Sequence, residues 1–570
     1  MKTSFFNLFE NDFLAIFPEL FLGSCSLILL IYGVSLNNQK INTTENFNSA
    51  NDSSKQEILI ENKTQSNPIL VENIGWIGLY TLVLTLLLVI NNPLNNTIFF
   101  YNSLILDDFT FFFKCLLLVG CIFTLVISFD YLKKEGIAAF EYIILLLLST
   151  TSMLLMISSY DFLSMYLTIE FQSLCFYVIA AFKRNSEFST EAGLKYFLLG
   201  AFSSGILLFG TSILYGFTGI TNFEELTKFC LSPVLSLESS TNHVGTGVTL
   251  GMLFITVGFL FKLTAAPFHM WAPDVYEGSP TSVTAFFSVA PKIAILALFT
   301  RLFLYTGPFG SILEKSYSSS ISLETSIFSG ISSITCEKIL VFCSIASMLV
   351  GAFSALSQQK IKRLLAYSSI GHIGYILIGL TCGTPEGIES LLVYLVIYIV
   401  MTLNVFAIIL SLRSPTPALN IPEKEIISDL QIGFQPATTQ VRYISDLNML
   451  AKTNPVLAIS LTITLFSMAG IPPLAGFCGK FYVFFSALSS SFYILAFVGI
   501  FTSLISCFYY IRLIKVMYFE KPTGILLPFE PIDKAKSLVL ALTLFFLLFF
   551  VFYPSPIFLA AHKVVLSVAL

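Results

Sequence analysis

Phe261-Lys262-Leu263-Thr264-Ala265-Ala266-Pro267-Phe268-His269-Met270-Trp271 sets a lysine, a proline and a histidine inside an apolar run. A second stretch, Ala469-Gly470-Ile471-Pro472-Pro473-Leu474-Ala475-Gly476-Phe477-Cys478-Gly479-Lys480, combines two prolines with a lysine. Proline removes a backbone donor and clashes with the preceding turn. At membrane depth such a break persists only where protein or water covers it. Each stretch therefore reads as a transmembrane helix interrupted, at Pro267 in one and at Pro472 and Pro473 in the other. Paired interruptions in corresponding halves of a chain point to a transport site between inverted repeats. The competing reading is two irregular packing kinks.

The surroundings fit an all-α polytopic membrane protein. The 570 residues are 55% hydrophobic and 11% charged, against about 25% charged in soluble domains. Apolar runs near 20 residues long match the hydrocarbon thickness as helices. About fourteen are expected: 13–35, 74–90, 109–128, 138–157, 161–182, 191–218, 247–268, 279–304, 339–357, 364–382, 388–411, 455–486, 491–518 and 537–558. The interrupted spans are the seventh and twelfth, five apart, as they would be if spans 4–8 were repeated as spans 9–13. The runs do not alternate in polarity, which excludes a barrel. Nineteen Lys and Arg residues fall in loops after odd-numbered spans and six on the other face. The positive-inside rule then puts the richer face on the negative side and both termini on the positive side. Polar stretches 37–69, 310–335 and 413–450 interrupt the pattern, and 37–69 reads as a flexible loop.

Ionisable residues inside spans are expensive and normally face a bundle interior or a water path. Lys195, Lys262, Lys292, Lys480 and Glu170 form such a set, and the usual use of such a line is to move protons or ions. Lys195 lies four residues after Glu191, so an interfacial ion pair is an equal alternative. Burial disfavours an ammonium and a nearby carboxylate favours it. A lysine with a movable carboxylate partner such as Glu170 can therefore switch its proton, or the pair can be static. His269 can extend a relay. His372 is either a relay or a neutral core residue, and His243 and His562 read as loop and terminal residues. The ten cysteines are scattered without CxxC pairs. No metal site, flavin, quinone or iron–sulfur cluster is expected on this chain's side chains. A net charge of −4 without a basic patch gives no reason to expect nucleic acid. No cleavable signal or transit peptide is visible at the start.

Four stretches carry a resemblance: Glu187–Tyr196, Gly258–Pro280 with FKLTAAPFHMWAPDVYEGSP, Lys360–Tyr375 with KIKRLLAYSSIGHIGY, and Lys452–Lys480 with KTNPVLAISLTITLFSMAGIPPLAGFCGK. The chain resembles the subunit 2 family of NADH:ubiquinone oxidoreductase, respiratory complex I, of the long plant- and protist-type mitochondrial kind. The resemblance implies an antiporter-like fold with two inverted five-helix repeats. It divides the chain into N-terminal spans 1–3 (1–130), a first repeat (131–305), a second repeat (306–520) and a last span (521–570). It implies a proton-translocating subunit in which Glu170 pairs with Lys262, Lys292 is central and Lys480 leads to the far half-channel. His269 and Lys195 then play supporting roles. NADH, FMN, iron–sulfur clusters and ubiquinone would belong to partner subunits. The partners would be other membrane-arm subunits, neighbouring antiporter-like ones among them, and lipid, in the mitochondrial inner membrane. A stand-alone cation/proton antiporter and a purely structural membrane subunit remain as alternatives.

Overall fold

The computed structural model describes residues 2–47, 68–94, 96–135, 140–231, 242–306, 326–415, 438–520 and 532–569. The N-terminal helices are α1 (Lys2–Phe47), α2 (Pro68–Ile90) and α3 (Asp108–Lys134). Then come α4 (Glu141–Ser158), α5 (Phe162–Ala180), α6 (Glu187–Thr218), α7 (Phe223–Leu231), α8 (Asn242–Lys262), α9 (Trp271–Gly278) and α10 (Thr281–Thr306). They are followed by α11 (Ser326–Leu356), α12 (Ile361–Thr381), α13 (Pro385–Ser411), α14 (Pro455–Ala469), α15 (Ala475–Ser489), α16 (Tyr493–Phe519), α17 (Lys534–Phe549) and α18 (Ser555–Ala569). Two small antiparallel ladders join Thr97–Phe99 to Leu104–Leu106 and Arg413–Pro415 to Thr438–Gln440.

Among the described residues, twelve helices are long and apolar enough to cross a membrane. The difference from fourteen lies at prolines. The twelfth expected span is two fifteen-residue helices, α14 and α15, on either side of Pro472 and Pro473. The fourteenth stops at Phe549, before Pro554 and Pro556, and α18 follows. Sixteen residues of α17 reach about 24 Å at 1.5 Å per residue, short of a ~30 Å hydrocarbon core. The first polar stretch also differs from expectation. The α1 backbone stays helical to Phe47 and α2 starts at Pro68, while the rest of 37–69 lies outside the described residues. So do most of 310–335 and the centre of 413–450.

Burial sorts the helices. In α10 and α13, 94% of the apolar window is buried, and in α12 89%. In α1 and α6 the share is 33%. Helices α10, α12 and α13 are therefore the interior, and Lys292 and His372 sit on two of them. Close approach of α6 and α8 depends on glycine: a Cβ on Gly210 would stand 2.9 Å from the Gly251 carbonyl oxygen. Small residues let membrane helices approach this closely.

The polar contacts at the helix ends keep two faces apart. One face joins loops after odd-numbered spans: Lys183 to Glu135 at 2.9 Å, Lys195 to Asp274 at 3.0 Å, Lys536 to Asp130 at 2.6 Å, and the Ile361 amide to the Arg442 carbonyl at 3.0 Å. The other joins loops after even-numbered spans: Tyr160 to Ser103 through the backbone at 2.9 Å, Asn222 to the Asn102 carbonyl at 2.8 Å, and Lys563 to Asp108 at 3.3 Å. This is the arrangement that alternating spans require. Two bases counted with the loops lie deeper. Arg301 is buried in α10 on Asp107, and Lys536 is buried at the start of α17 on Asp130. A carboxylate beside each offsets the desolvation that would otherwise keep it at the surface.

Single cysteines placed at Lys183 and Lys360 should react with an impermeant maleimide from one side of the membrane. Cysteines at Tyr101 and Glu386 should react only from the other. Labelling of all four from one side would refute this two-faced arrangement.

Candidate functional site

Both helix breaks are built by local rules. Helix α8 ends at Lys262, Thr264 takes the left-handed conformation (φ 63°), and α9 starts at Trp271. The Trp271 indole N–H donates to the Phe261 carbonyl across the gap at 3.0 Å, supplying one of the acceptors' missing donors. In the second break Gly470 is left-handed (φ 85°), and the Ile471 amide returns to the Phe466 carbonyl at 3.1 Å. That closure is the usual end of a helix at glycine. Lys480, from the following helix, folds back and donates to the Met468 and Ala469 carbonyls at 2.9 and 3.0 Å. The C-terminal end of a helix carries partial negative charge. The break in α14/α15 is thus a cation site for Lys480.

Lys292 is 2% exposed in α10 and donates to the Tyr398 hydroxyl of α13 at 2.7 Å. The Lys262 ammonium is buried and has no hydrogen-bond partner among the described residues. It shares with Lys292 a cavity also lined by Gln172, Ser173, Tyr276 and Thr264. About 20 Å³ there is open to the centre of a water molecule, enough for one water. Glu170 does not hydrogen-bond Lys262. Its Oε1 is buried and unpartnered, and its Oε2 accepts from Ser173 at 3.4 Å. Lys262 and Lys292 thus line one cavity, and Ser173, which also lines it, donates to the Glu170 carboxylate.

A second cavity touches the first at Tyr276 and adds Ser288, Ser368, Ser369, His372 and Tyr398. A third is lined by Ser368, His372, Tyr375, Lys480 and Tyr510. His372 bridges them. Its Nδ1 lies 2.7 Å from the Tyr394 hydroxyl and its Nε2 3.4 Å from the Tyr510 hydroxyl, which lies 2.5 Å from the Ser368 hydroxyl. Lys480 is 5% exposed, and its ammonium lies 5.0 Å from the centre of the Tyr375 ring. Lys262, Lys292, His372 and Lys480 therefore line three adjoining cavities through the bundle interior.

Other expected residues fall elsewhere. Lys195 is 41% exposed and paired with Glu191 at 2.7 Å and Asp274 at 3.0 Å. Asp274 also takes Arg363, and Glu277 takes Arg363 at 2.9 Å and Lys360. Lys195 thus stands in a surface network, the ion-pair alternative, and lines none of the three cavities. Burial alone would raise the Asp274 carboxyl, but the hydrogen bonds from Lys195 and Arg363 outweigh it and hold it below its usual range. His269 is half-buried, with Nδ1 unpartnered, and also lines none of these cavities. His562 is a surface residue, 58% exposed, beside Glu389 at 2.5 Å, and the His243 side chain lies outside the described residues. Pro267, Pro472 and Pro473 sit in the two breaks, with cis bonds at Ala266–Pro267 and Pro472–Pro473. Among the described residues no three His, Cys, Asp or Glu side chains are grouped to hold a metal.

Sequence reasoning missed the tyrosines. Ser390, Tyr394 and Tyr398 recur at four-residue spacing in a helix otherwise rich in Leu, Val and Ile. That spacing places them on one face, and it was the available signal.

The comparisons with known proteins fit this interior. The family model for the transmembrane region of NADH:quinone oxidoreductases and Mrp antiporters matches residues 159–506. NADH-ubiquinone oxidoreductase chain 2 of Marchantia polymorpha is 52% identical over 99% of this chain and 100% of its own length. The chain belongs to the NADH-ubiquinone oxidoreductase chain 2 family. Its Arabidopsis thaliana relative is 48% identical with both chains fully covered. A chain of respiratory complex I from Thermus thermophilus has the same fold, with a TM-score of 0.68 and 24% identity over 95% of this chain and 98% of that one. A chain of the Mrp complex from Dietzia sp. matches equally well in fold, with a TM-score of 0.68 and 18% identity over 97% of each. This chain 2 family member is therefore a multi-pass membrane protein of antiporter-like fold.

Two substitutions test the interior. Tyr398→Phe leaves the Lys292 ammonium without its hydroxyl, at a cost of about 1.5–3 kcal/mol for a hydrogen bond to a charged group. The thermal midpoint of the assembled membrane complex should fall. An unchanged midpoint would mean that Lys292 is held by other groups. Gly470→Ala puts a Cβ 2.9 Å from Lys480 Cδ in a left-handed position, adding about 1–2 kcal/mol of backbone strain. It should also lower the midpoint, and equal stability would show that the break can relax.

Proposed function

We propose that this chain acts as the proton-translocating chain 2 subunit of the membrane arm of respiratory complex I, in the mitochondrial inner membrane. The observation that carries the reading is the run of adjoining cavities lined by Lys262, Lys292, His372 and Lys480 inside an apolar bundle. A bundle built only for packing gains nothing from three buried ammonium groups, each costing several kcal/mol to desolvate. Chain 2 relatives in plants support the mitochondrial membrane as its location.

Electron transfer from NADH to ubiquinone takes place in partner subunits, which hold NADH, FMN, the iron–sulfur clusters and ubiquinone. This chain contributes no redox group and binds none of them. Its partners are the other membrane-arm subunits, neighbouring antiporter-like ones among them, and lipid. Spans 4–8 and 9–13 act as the two inverted repeats. Energy released elsewhere shifts the distance between Glu170 and Lys262. With Glu170 near, Lys262 keeps its proton; with Glu170 withdrawn, the buried ammonium is unfavourable and releases it. The proton passes to Lys292 through the shared cavity, then by way of Tyr398 and His372 to Lys480. Water in the cavities closes the gaps between side chains. Lys195 and His269 keep supporting roles at the edge of the path.

Lys292→Ala in the assembled complex should remove this subunit's share of the protons moved per NADH oxidised. Lys292→Arg should not restore it, because a guanidinium keeps its proton in this pH range. An undiminished ratio in Lys292→Ala, measured in sealed vesicles with assembly verified, would show that the lysine is structural.

A further inference from the structure

The face that carries Lys360, Arg363 and Asp274 holds one more lysine that the site above does not use. Three basic residues open α12: Lys360, Lys362 and Arg363. Lys360 and Arg363 are each paired with a carboxylate, Glu277 or Asp274. Lys362 is different. It is half-buried, and its ammonium donates to the Ser279 carbonyl, at the C-terminal end of α9, at 2.8 Å. The charged groups acting on it are Glu135 after α3, Glu277 on α9, Lys183 after α5 and Arg442 before α14. Lys183 already holds Glu135 at 2.9 Å. Lys362 is thus a cation whose neighbouring carboxylates are engaged by other bases.

What lies beneath it gives this position a direction. Leu365 and Ser369 follow at i+3 and i+7, on the same face of α12, and His372 stands about 15 Å further along the axis at 1.5 Å per residue. Leu365, Ser369 and His372 all line the middle cavity, with Tyr276 and Tyr398. Tyr276 belongs to the same short helix whose end holds the Lys362 ammonium. One side of Lys362 therefore reaches the protein surface, and the other lies one turn above a cavity that meets both Lys292 and Lys480 paths.

We propose that Lys362 is the proton-loading residue of this path on the basic-rich face. It takes a proton from water at that face and releases it past Leu365 toward Ser369, Tyr276 and His372, and is then reprotonated from the same face. Each transfer breaks the donor's O–H or N–H bond as it forms the acceptor's, and no oxidation state changes. The inference rests on the proton-path reading above.

The test uses the assembled complex in sealed vesicles, with four variants: Lys362→Met, Lys362→Arg, Lys360→Ala and Lys292→Ala. Lys362→Arg keeps a cation and a donor for the Ser279 carbonyl, so assembly is retained whatever the fate of Lys362→Met. The expected result is a lower ratio of protons moved per NADH in both Lys362 variants and an unchanged ratio in Lys360→Ala. Full pumping with arginine at 362 would make Lys362 a structural cation and overturn the proposal, as would full pumping in Lys362→Met. A loss in Lys292→Ala with none in Lys362→Arg would remove this inference alone. No loss in Lys292→Ala would remove the reading beneath it.

Discussion

An ammonium group inside an apolar bundle must be given either a counter-charge or a set of oriented dipoles, and the two solutions divide this protein. Three buried bases have a carboxylate: Lys114 with Glu19 at 2.5 Å, Arg301 with Asp107 at 3.0 Å, and Lys536 with Asp130 at 2.6 Å. Among the described residues, three others have none in hydrogen-bond contact. Lys292 has a tyrosine hydroxyl, Lys480 has two carbonyls at a helix end, and Lys262 has a cavity. A close carboxylate fixes the proton on its base, and breaking such a buried pair costs about 3–5 kcal/mol. Hydroxyls and carbonyls stabilise the charge less, so the proton can leave. The first set holds helices together, and the second is the one the proposed proton path uses.

The fixed pairs share one helix. Asp107 caps α3, Lys114 lies two turns on, and Asp130 is near its other end. Through them α3 is tied to α1, to α10 and to α17, and Asp108 adds α18 through Lys563 at 3.3 Å. The element that carries Lys292 is therefore anchored at Arg301, nine residues along α10, while Lys292 itself is held only by a hydroxyl. A rigid end and a less constrained centre on one helix suit a path in which charge moves and backbone does not.

The two breaks solve one problem with different local chemistry. Each leaves backbone carbonyls without donors at membrane depth, where unsatisfied groups cost several kcal/mol. In the first, a tryptophan indole closes the gap and leaves Lys262 free at the helix end. In the second, Lys480 itself supplies the donors. The same kind of lesion in a helix thus yields a cavity-facing lysine in one half and an anchored one in the other.

The all-α membrane class, the approximate spans, the two interrupted helices and the set Glu170, Lys262, Lys292 and Lys480 were legible in the sequence. Each is a property of a contiguous window: apolar length, a proline within it, or a charge within it. Family membership followed from motifs such as AGIPPLAGFCGK for the same reason. The partners were not legible. Lys292 meets Tyr398 across 106 residues, His372 meets Tyr510 across 138, and Asp130 meets Lys536 across 406. Lys195 and Lys262 look alike in sequence, each a lysine in an apolar run, yet one lies in a surface network and the other in the interior. Which side of a helix faces neighbours, lipid or a cavity depends on how the whole bundle packs. The sequence by itself determined that charges would sit at membrane depth; only the tertiary structure decided which of them are neutralised by a carboxylate and which are left with dipoles, because that choice is made by groups brought together from distant parts of the chain.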